Sequence, residues 1–151
     1  MVILLVENHH FFVTLKPRQI IWRRAMKKGI ELDMVVSDAM TALETFGKVF
    51  KVEILEVQST AKENDTVLVD MDGMHIHFLS KNEEVGFKVP TSTPESMWVN
   101  VIVDDIEKTK NAAVDAGFEL VIPITKEPYE GMLYMLLKDK DNYQWMVYEA
   151  E

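Results

Sequence analysis

Residues 31–50 read ELDMVVSDAMTALETFGKVF, and this stretch decides the fold. Residues 31–37 alternate apolar and polar side chains as a half-covered strand does. Asp38 follows, a residue whose short acceptor side chain caps helices. From residue 39 to 50, Met40, Leu43, Phe46, Val49 and Phe50 return at the spacing of one helix face. The order is strand, Asp cap, helix. It returns at residues 97–117, MWVNVIVDDIEKTKNAAVDAG. There residues 97–104 alternate, Asp105 takes the cap position, and residues 106–116 carry a helical pattern. Gly117 suits the left-handed position past a helix end.

Working outward, three short β segments follow each helix: 52–58, 66–71 and 74–80 in the first copy, 118–124, 132–138 and 143–149 in the second. Turn-forming residues separate them, at Lys62-Glu63-Asn64-Asp65, Asp72-Gly73 and Lys138-Asp139-Lys140-Asp141-Asn142. The reading is an α+β chain of two βαβββ repeats with mixed, curled sheets. The first unit is 31–80, the linker 81–95 with Pro90 and Pro94, and the second unit 96–151. Residues 1–30 form an N-terminal extension, with strands expected at 2–6 and 11–15 and a helix opening at Pro17 and running to Lys28. This extension carries Lys16, Arg18, Arg23, Arg24, Lys27 and Lys28 against the single acid Glu7, and every basic residue after Arg24 is lysine. Such a break fits either a native extension with a basic helix or non-native upstream sequence ahead of a start at Met26.

Composition removes several function classes. With 48% hydrophobic and 27% charged residues in 151, the chain builds a domain-sized core. A formal net charge of −9 argues against a nucleic-acid partner. The absence of cysteine excludes disulfides, thiolate metal sites and a cysteine nucleophile. No apolar run reaches the roughly 18 residues that a membrane span requires, so no membrane partner is expected and the cytoplasm is the default compartment. Gly-rich phosphate loops and G-x-S-x-G elbows are missing as well.

One helix covers one face of a sheet, so the other face of each unit is expected to line a cavity, with the two units making a shared cup. Parity assigns the faces. Val99, Val101 and Val103 pack under the second helix, which leaves Trp98, Asn100, Ile102 and Asp104 on the cavity side. In the first copy the cavity side takes Glu31, Asp33, Val35 and Ser37. The last strands add His75, His77 and Leu79, with Gln144, Met146 and Tyr148 as their counterparts. The expected ligand cavity is therefore Asp33, His75, His77, Trp98, Asn100, Gln144, Met146 and Tyr148. Plainer roles exist for each of these: imidazoles hydrogen-bonded across strands, core-filling Trp98 and Met146, and solvated carboxylates at Glu31, Asp33 and Asp104.

The Val-x-Asp spacing before each helix (Val36-Ser37-Asp38 and Val103-Asp104-Asp105), the helix end Ala116-Gly117 and the closing block from Lys138 to Met146 resemble the vicinal oxygen chelate superfamily. This is the glyoxalase, bleomycin-resistance and extradiol-dioxygenase group. The ending Gln144-Trp145-Met146-Val147 is most similar to its PhnB-like branch. The resemblance implies the glyoxalase-like fold, a small-molecule partner and a homodimer. It also implies metal-ligand positions on the first and last strand of each copy, which fall on Glu31, His77, Trp98 and Met146. Glu31 and His77, with His75 as a third donor, retain half of a site for a divalent cation (Zn, Mg, Mn or Fe). Trp98 and Met146 offer no suitable donor, so the expectation is no cofactor. The lid that the group often carries falls at Tyr129 and Glu130-Gly131. Three functions follow: a metal-free small-molecule-binding protein, a metal-dependent lyase, isomerase or dioxygenase using Glu31 and His77, and an antibiotic-sequestering resistance protein.

Overall fold

The computed structural model describes residues 2–6, 9–13, 31–59, 64–93, 98–128 and 131–150, the first two stretches by their backbone. The chain divides into two compact units, Met1–Val89 and Pro90–Glu151. In the first, β1 (Val2–Val6) and β2 (His9–Val13) pair antiparallel, Val2 with Val13 and Val6 with His9. The second of these strands starts two residues earlier than expected, because pairing over a two-residue connection sets the register. The expected helix at 17–28 lies outside the described residues.

The core of the first unit is β3 (Leu32–Val36), α1 (Ala39–Val49), β4 (Glu53–Gln58), β5 (Thr66–Met71) and β6 (Met74–Ser80). The strand order is β3-β6-β5-β4, with β3 parallel to β6 and the other pairs antiparallel. Two acceptors start α1. Asp38 Oδ1 accepts from Thr41 N at 2.8 Å, and the buried Ser80 Oγ accepts from Ala39 N at 2.9 Å. The helix lays Ala39, Ala42, Leu43 and Phe46 over Met34, Val36, Val67, Val69, Ile76 and Phe78, all buried. Phe46 stacks on Phe78 at 5.0 Å between ring centroids. At Asp72 and Gly73, φ is +50° and +93°, the twisted two-residue turn that closes β5 onto β6. Asp70 Oδ1 accepts from Gly73 N at 2.7 Å there.

The second unit repeats this plan with β7 (Val99–Val103), α2 (Ile106–Asp115), β8 (Glu119–Lys126), β9 (Leu133–Lys138) and β10 (Gln144–Glu149), ordered β7-β10-β9-β8. Asp105 Oδ1 accepts from Lys108 N at 2.8 Å, and Glu149 Oε2 accepts from Ile106 N at 2.9 Å. Glu149 thus stands where Ser80 stands in the first unit, at the end of the last strand and against the first helical amide. Gly117 takes φ +93° past α2, as its position in the sequence requires. β8 runs two residues beyond expectation, through Pro123. An edge strand tolerates a residue without an N–H, and the register of β8 is already broken by irregularities on both sides of Ile122.

The turn between β9 and β10 is organised by one buried carboxylate. Asp139 Oδ1 accepts from Asp141 N at 2.9 Å and Tyr143 N at 3.0 Å, and Oδ2 accepts from the Trp145 indole N–H at 3.0 Å. Burial pushes this carboxyl from 3.8 up to about 6, against the hydrogen bonds that lower it. The folded state therefore keeps the Asp139 proton over a window in which the unfolded chain has lost it. Its contribution to stability is largest below the unfolded value and declines as pH rises through the folded one. Between about pH 4 and pH 7, the thermal midpoint of the wild type is expected to lose more than that of Asp139→Asn. Identical pH dependence of the two proteins in a thermal melt refutes this assignment.

Candidate functional site

Each sheet has a face covered by its helix and a far face turned away from it. In the first unit the far face is built in rows by the strand register. Asp33 on β3 lies beside His77 on β6, His77 beside Leu68 on β5, and Leu68 beside Glu56 on β4. One step along, His75 pairs with Asp70 and Asp70 with Glu53, while Glu31 precedes β3 on the same side. Val35, Leu79, Thr66 and Gln58 form the next row. Two imidazoles thus stand among five carboxylates.

Their contacts are specific. His75 Nδ1 lies 3.6 Å from Glu31 Oε1, and its Nε2 lies 3.3 Å from Asp70 Oδ2. His77 Nδ1 lies 3.5 Å from Asp33 Oδ1. The two imidazole side chains are about a third exposed, at 31% and 29%, and Asp33 is 64% exposed. These are ion-pair distances, longer than a tight N–H···O hydrogen bond. Gln58 Nε2 donates to Glu56 Oε1 at 2.6 Å on the outer strand.

The far face of the second unit has a different chemistry on the same backbone. Its rows are Asn100, Met146, Leu136 and Ile122, then Ile102, Tyr148, Tyr134 and Thr125. Trp98 precedes β7 on this side, and Gln144 is paired with Lys138, which forms an ion pair with Glu119. Trp98 is 48% exposed and Ile102 65% exposed. The Tyr134 and Tyr148 rings stand 6.0 Å apart. Asp104 is exposed beside the Asp105 cap.

In the register Asp33, His75 and His77 share the far face of the first unit, and Asn100, Gln144, Met146 and Tyr148 share that of the second. Asp70, Glu53, Glu56 and Tyr134 were not singled out. The signal was present for Asp70: the Asp72-Gly73 turn makes residues 70 and 75 partners. Tyr129 and Glu130 lie outside the described residues. Gly131 has φ +78°, and a Cβ there would come within 3.2 Å of Lys126 Cε.

The register sets His77 beside Asp33 and brings Glu31 to His75, and the corresponding positions in the second unit carry an indole and a thioether. Among the described residues, no group of three His, Asp or Glu side chains is arranged to hold a metal ion. Among them, too, no helix is long and apolar enough to cross a membrane.

A family model described as the Glyoxalase/Bleomycin resistance protein/Dioxygenase superfamily matches residues 30–147. Solved structures of low identity share the fold. A hypothetical protein, SA1046 from S. aureus, has 14% identity and a TM-score of 0.63, covering 83% of this chain and 96% of that one. TioX from Micromonospora sp. ML1 has 19% identity and a TM-score of 0.59, with coverages of 80% and 98%. The fosfomycin resistance protein FosX from Listeria monocytogenes, complexed with Mn(II) and sulfate, has 12% identity and a TM-score of 0.65, with coverages of 83% and 93%. No curated protein sequence matches the chain. The chain belongs to the glyoxalase/bleomycin resistance/dioxygenase superfamily.

Proposed function

We propose that this chain is a small-molecule-binding member of its superfamily that works without the four-donor metal centre. The observation that carries this reading is the far face of the second unit, where Trp98 and Ile102 are exposed beside Met146, Tyr134 and Tyr148. Large exposed aromatic and aliphatic side chains are costly to leave in water and are the usual wall of a ligand site. Asn100 and Gln144 add carboxamides that both donate and accept hydrogen bonds. Lys138 and Glu119 on this face are paired with each other. Binding and orientation are the chemistry such a surface offers. The homodimer common in the superfamily is the assembly inferred for it.

A second reading, sequestration of a cationic antibiotic, is favoured by Glu31, Asp33, Glu53, Glu56 and Asp70 on the far face of the first unit. It predicts that expression protects cells from a cationic drug and that added salt weakens the complex. Absence of protection across a panel of such drugs removes it.

Two measurements test the main reading. Elemental mass spectrometry of untagged, gently dialysed protein is expected to find divalent metal well below one per chain, with no change in His77→Ala. Near-stoichiometric metal that disappears in the variant overturns the reading and favours catalysis through Glu31 and His77. In a thermal-shift screen run with chelator present, ligands that stabilise the wild type are expected to lose their effect in Trp98→Ala. Loss of the burial of one aromatic wall corresponds to about 1–3 kcal/mol of binding. Stabilisation that appears only with added metal refutes it.

A further inference from the structure

The turn between β5 and β6 carries a chemistry of its own, separate from ligand binding. Asp72-Gly73 is the single Asp-Gly step of the chain, which has no Asn-Gly step. Both residues are exposed, with φ of +50° and +93°. Outside its two chain neighbours, no heavy atom lies within 4 Å of the place a Cβ would take on Gly73. Nothing beyond the turn therefore hinders a reaction at the Gly73 nitrogen, and glycine brings no side chain to shield it. One group restrains that nitrogen. Asp70 Oδ1 accepts the Gly73 N–H at 2.7 Å, a length typical of a hydrogen bond to a charged acceptor. An anion at this distance holds the proton on the nitrogen, because the charge left there by its loss has the same sign. The other carboxylate oxygen of Asp70 lies 3.3 Å from His75 Nε2, so the side chain is held between the ring and the turn.

We propose that Asp72-Gly73 is a site of spontaneous aspartyl isomerisation and that the Asp70 carboxylate holds the reaction in check. In the first step the Gly73 nitrogen bonds to Asp72 Cγ, and the amide proton and the carboxyl hydroxyl leave as water, which closes a five-membered succinimide. Water then opens the ring by breaking the bond between the Gly73 nitrogen and the main-chain carbonyl carbon of Asp72. The chain now runs through Cβ and Cγ and is one carbon longer, while the former main-chain carbonyl has become a free carboxylate. Nothing is oxidised or reduced, and water is the only co-reactant. A two-residue turn fixes the register of its hairpin, here Met71 with Met74 and Asp70 with His75. An added backbone carbon displaces those first pairs. The turn is thereby a chemical clock on the strand that carries His75 and His77.

The test ages the full-length wild type and Asp70→Asn side by side at physiological temperature and neutral pH. Isoaspartate at residue 72 is measured by peptide mapping with electron-transfer fragmentation, which distinguishes the two isomers. Asparagine keeps the shape of the aspartate and an acceptor oxygen but not its charge. Folded Asp70→Asn is expected to isomerise about tenfold faster than folded wild type, the difference between a hydrogen bond to a charged and to a neutral acceptor. In urea the two chains are expected to isomerise at the same rate. Amide hydrogen exchange of β5 and β6 outside the turn is followed in the same samples and is expected to match between the folded proteins. Equal isomerisation rates in the folded state overturn the proposal, as does isoaspartate that accumulates elsewhere and not at residue 72. A faster rate in Asp70→Asn matched by equally faster exchange of the strand amides also overturns it, since the variant then acts by opening the hairpin. The isoaspartyl form, separated by chromatography, is expected to exchange those amides several-fold faster than its parent, and unchanged exchange overturns the clock.

Discussion

One helix of ten or eleven residues can cover one face of a four-stranded sheet and no more. The rest of the structure depends on that limit. Each unit resolves it by fixing the helix to the end of its last strand: the first amide of α1 bonds Ser80 and that of α2 bonds Glu149. Helix, first strand and last strand are thereby set against one another, with Val36 O accepting from Lys81 N and Val103 O from Ala150 N at the same place in both. With the helix locked over one face, the side chains of the far face are released from packing duty and can diverge. They have done so. The buried rows of both units are aliphatic and aromatic, while the far rows are acidic with imidazoles in one and aromatic with carboxamides in the other.

Because of this one-sidedness, the make-up of each far face was largely legible in the sequence. Parity alone put His75 and His77 on the side of Asp33, and Trp98 on the side of Asn100, since a strand under a helix must be uniformly apolar on alternate residues. The Asp38 and Asp105 caps fixed where each helix begins, and both helices begin there. What parity cannot supply is the neighbour across the ladder. Glu31 meets His75 because the parallel register sets Asp33 beside His77, and that offset is a property of the β3 and β6 pairing rather than of either strand alone. Asp70 is a different case, since a two-residue turn fixes antiparallel partners and its contact with His75 follows from the Asp72-Gly73 position. Tyr134 was hidden for a third reason: its partner Tyr148 is reached through a hairpin whose loop, held by Asp139, is longer than a two-residue turn.

Asp139 shows how a fold can spend electrostatic stability on geometry. A carboxylate satisfied by three N–H donors would ordinarily be strongly acidic, yet burial outweighs those bonds and its pKa rises to about 6. The indole of Trp145 explains the compromise. Trp145 is fully buried under α2's side of the sheet and carries one N–H that must find an acceptor. Asp139 Oδ2 at the turn is its acceptor, so the carboxylate sits in an apolar place beside the largest side chain of the core. The neighbouring Met146, one residue on, faces the opposite way, onto the far face. Core and far face therefore alternate residue by residue along β10.

The contrast between the units also bears on how function changes within one fold. Glu31 and Trp98 occupy equivalent places before the first strand, as do His77 and Met146 on the last, and only the first member of each pair carries a donor atom suited to a hard or borderline cation. Replacing a carboxylate and an imidazole by an indole and a thioether removes two coordination bonds and adds a broad, polarizable contact area in the same positions. The backbone is indifferent to the exchange, because neither side chain is needed for the core. In the first unit the imidazole of His77 stands beside a carboxylate instead, its Nδ1 3.5 Å from Asp33 Oδ1. Fold membership in this superfamily thus constrains where a ligand is met far more tightly than what is done to it.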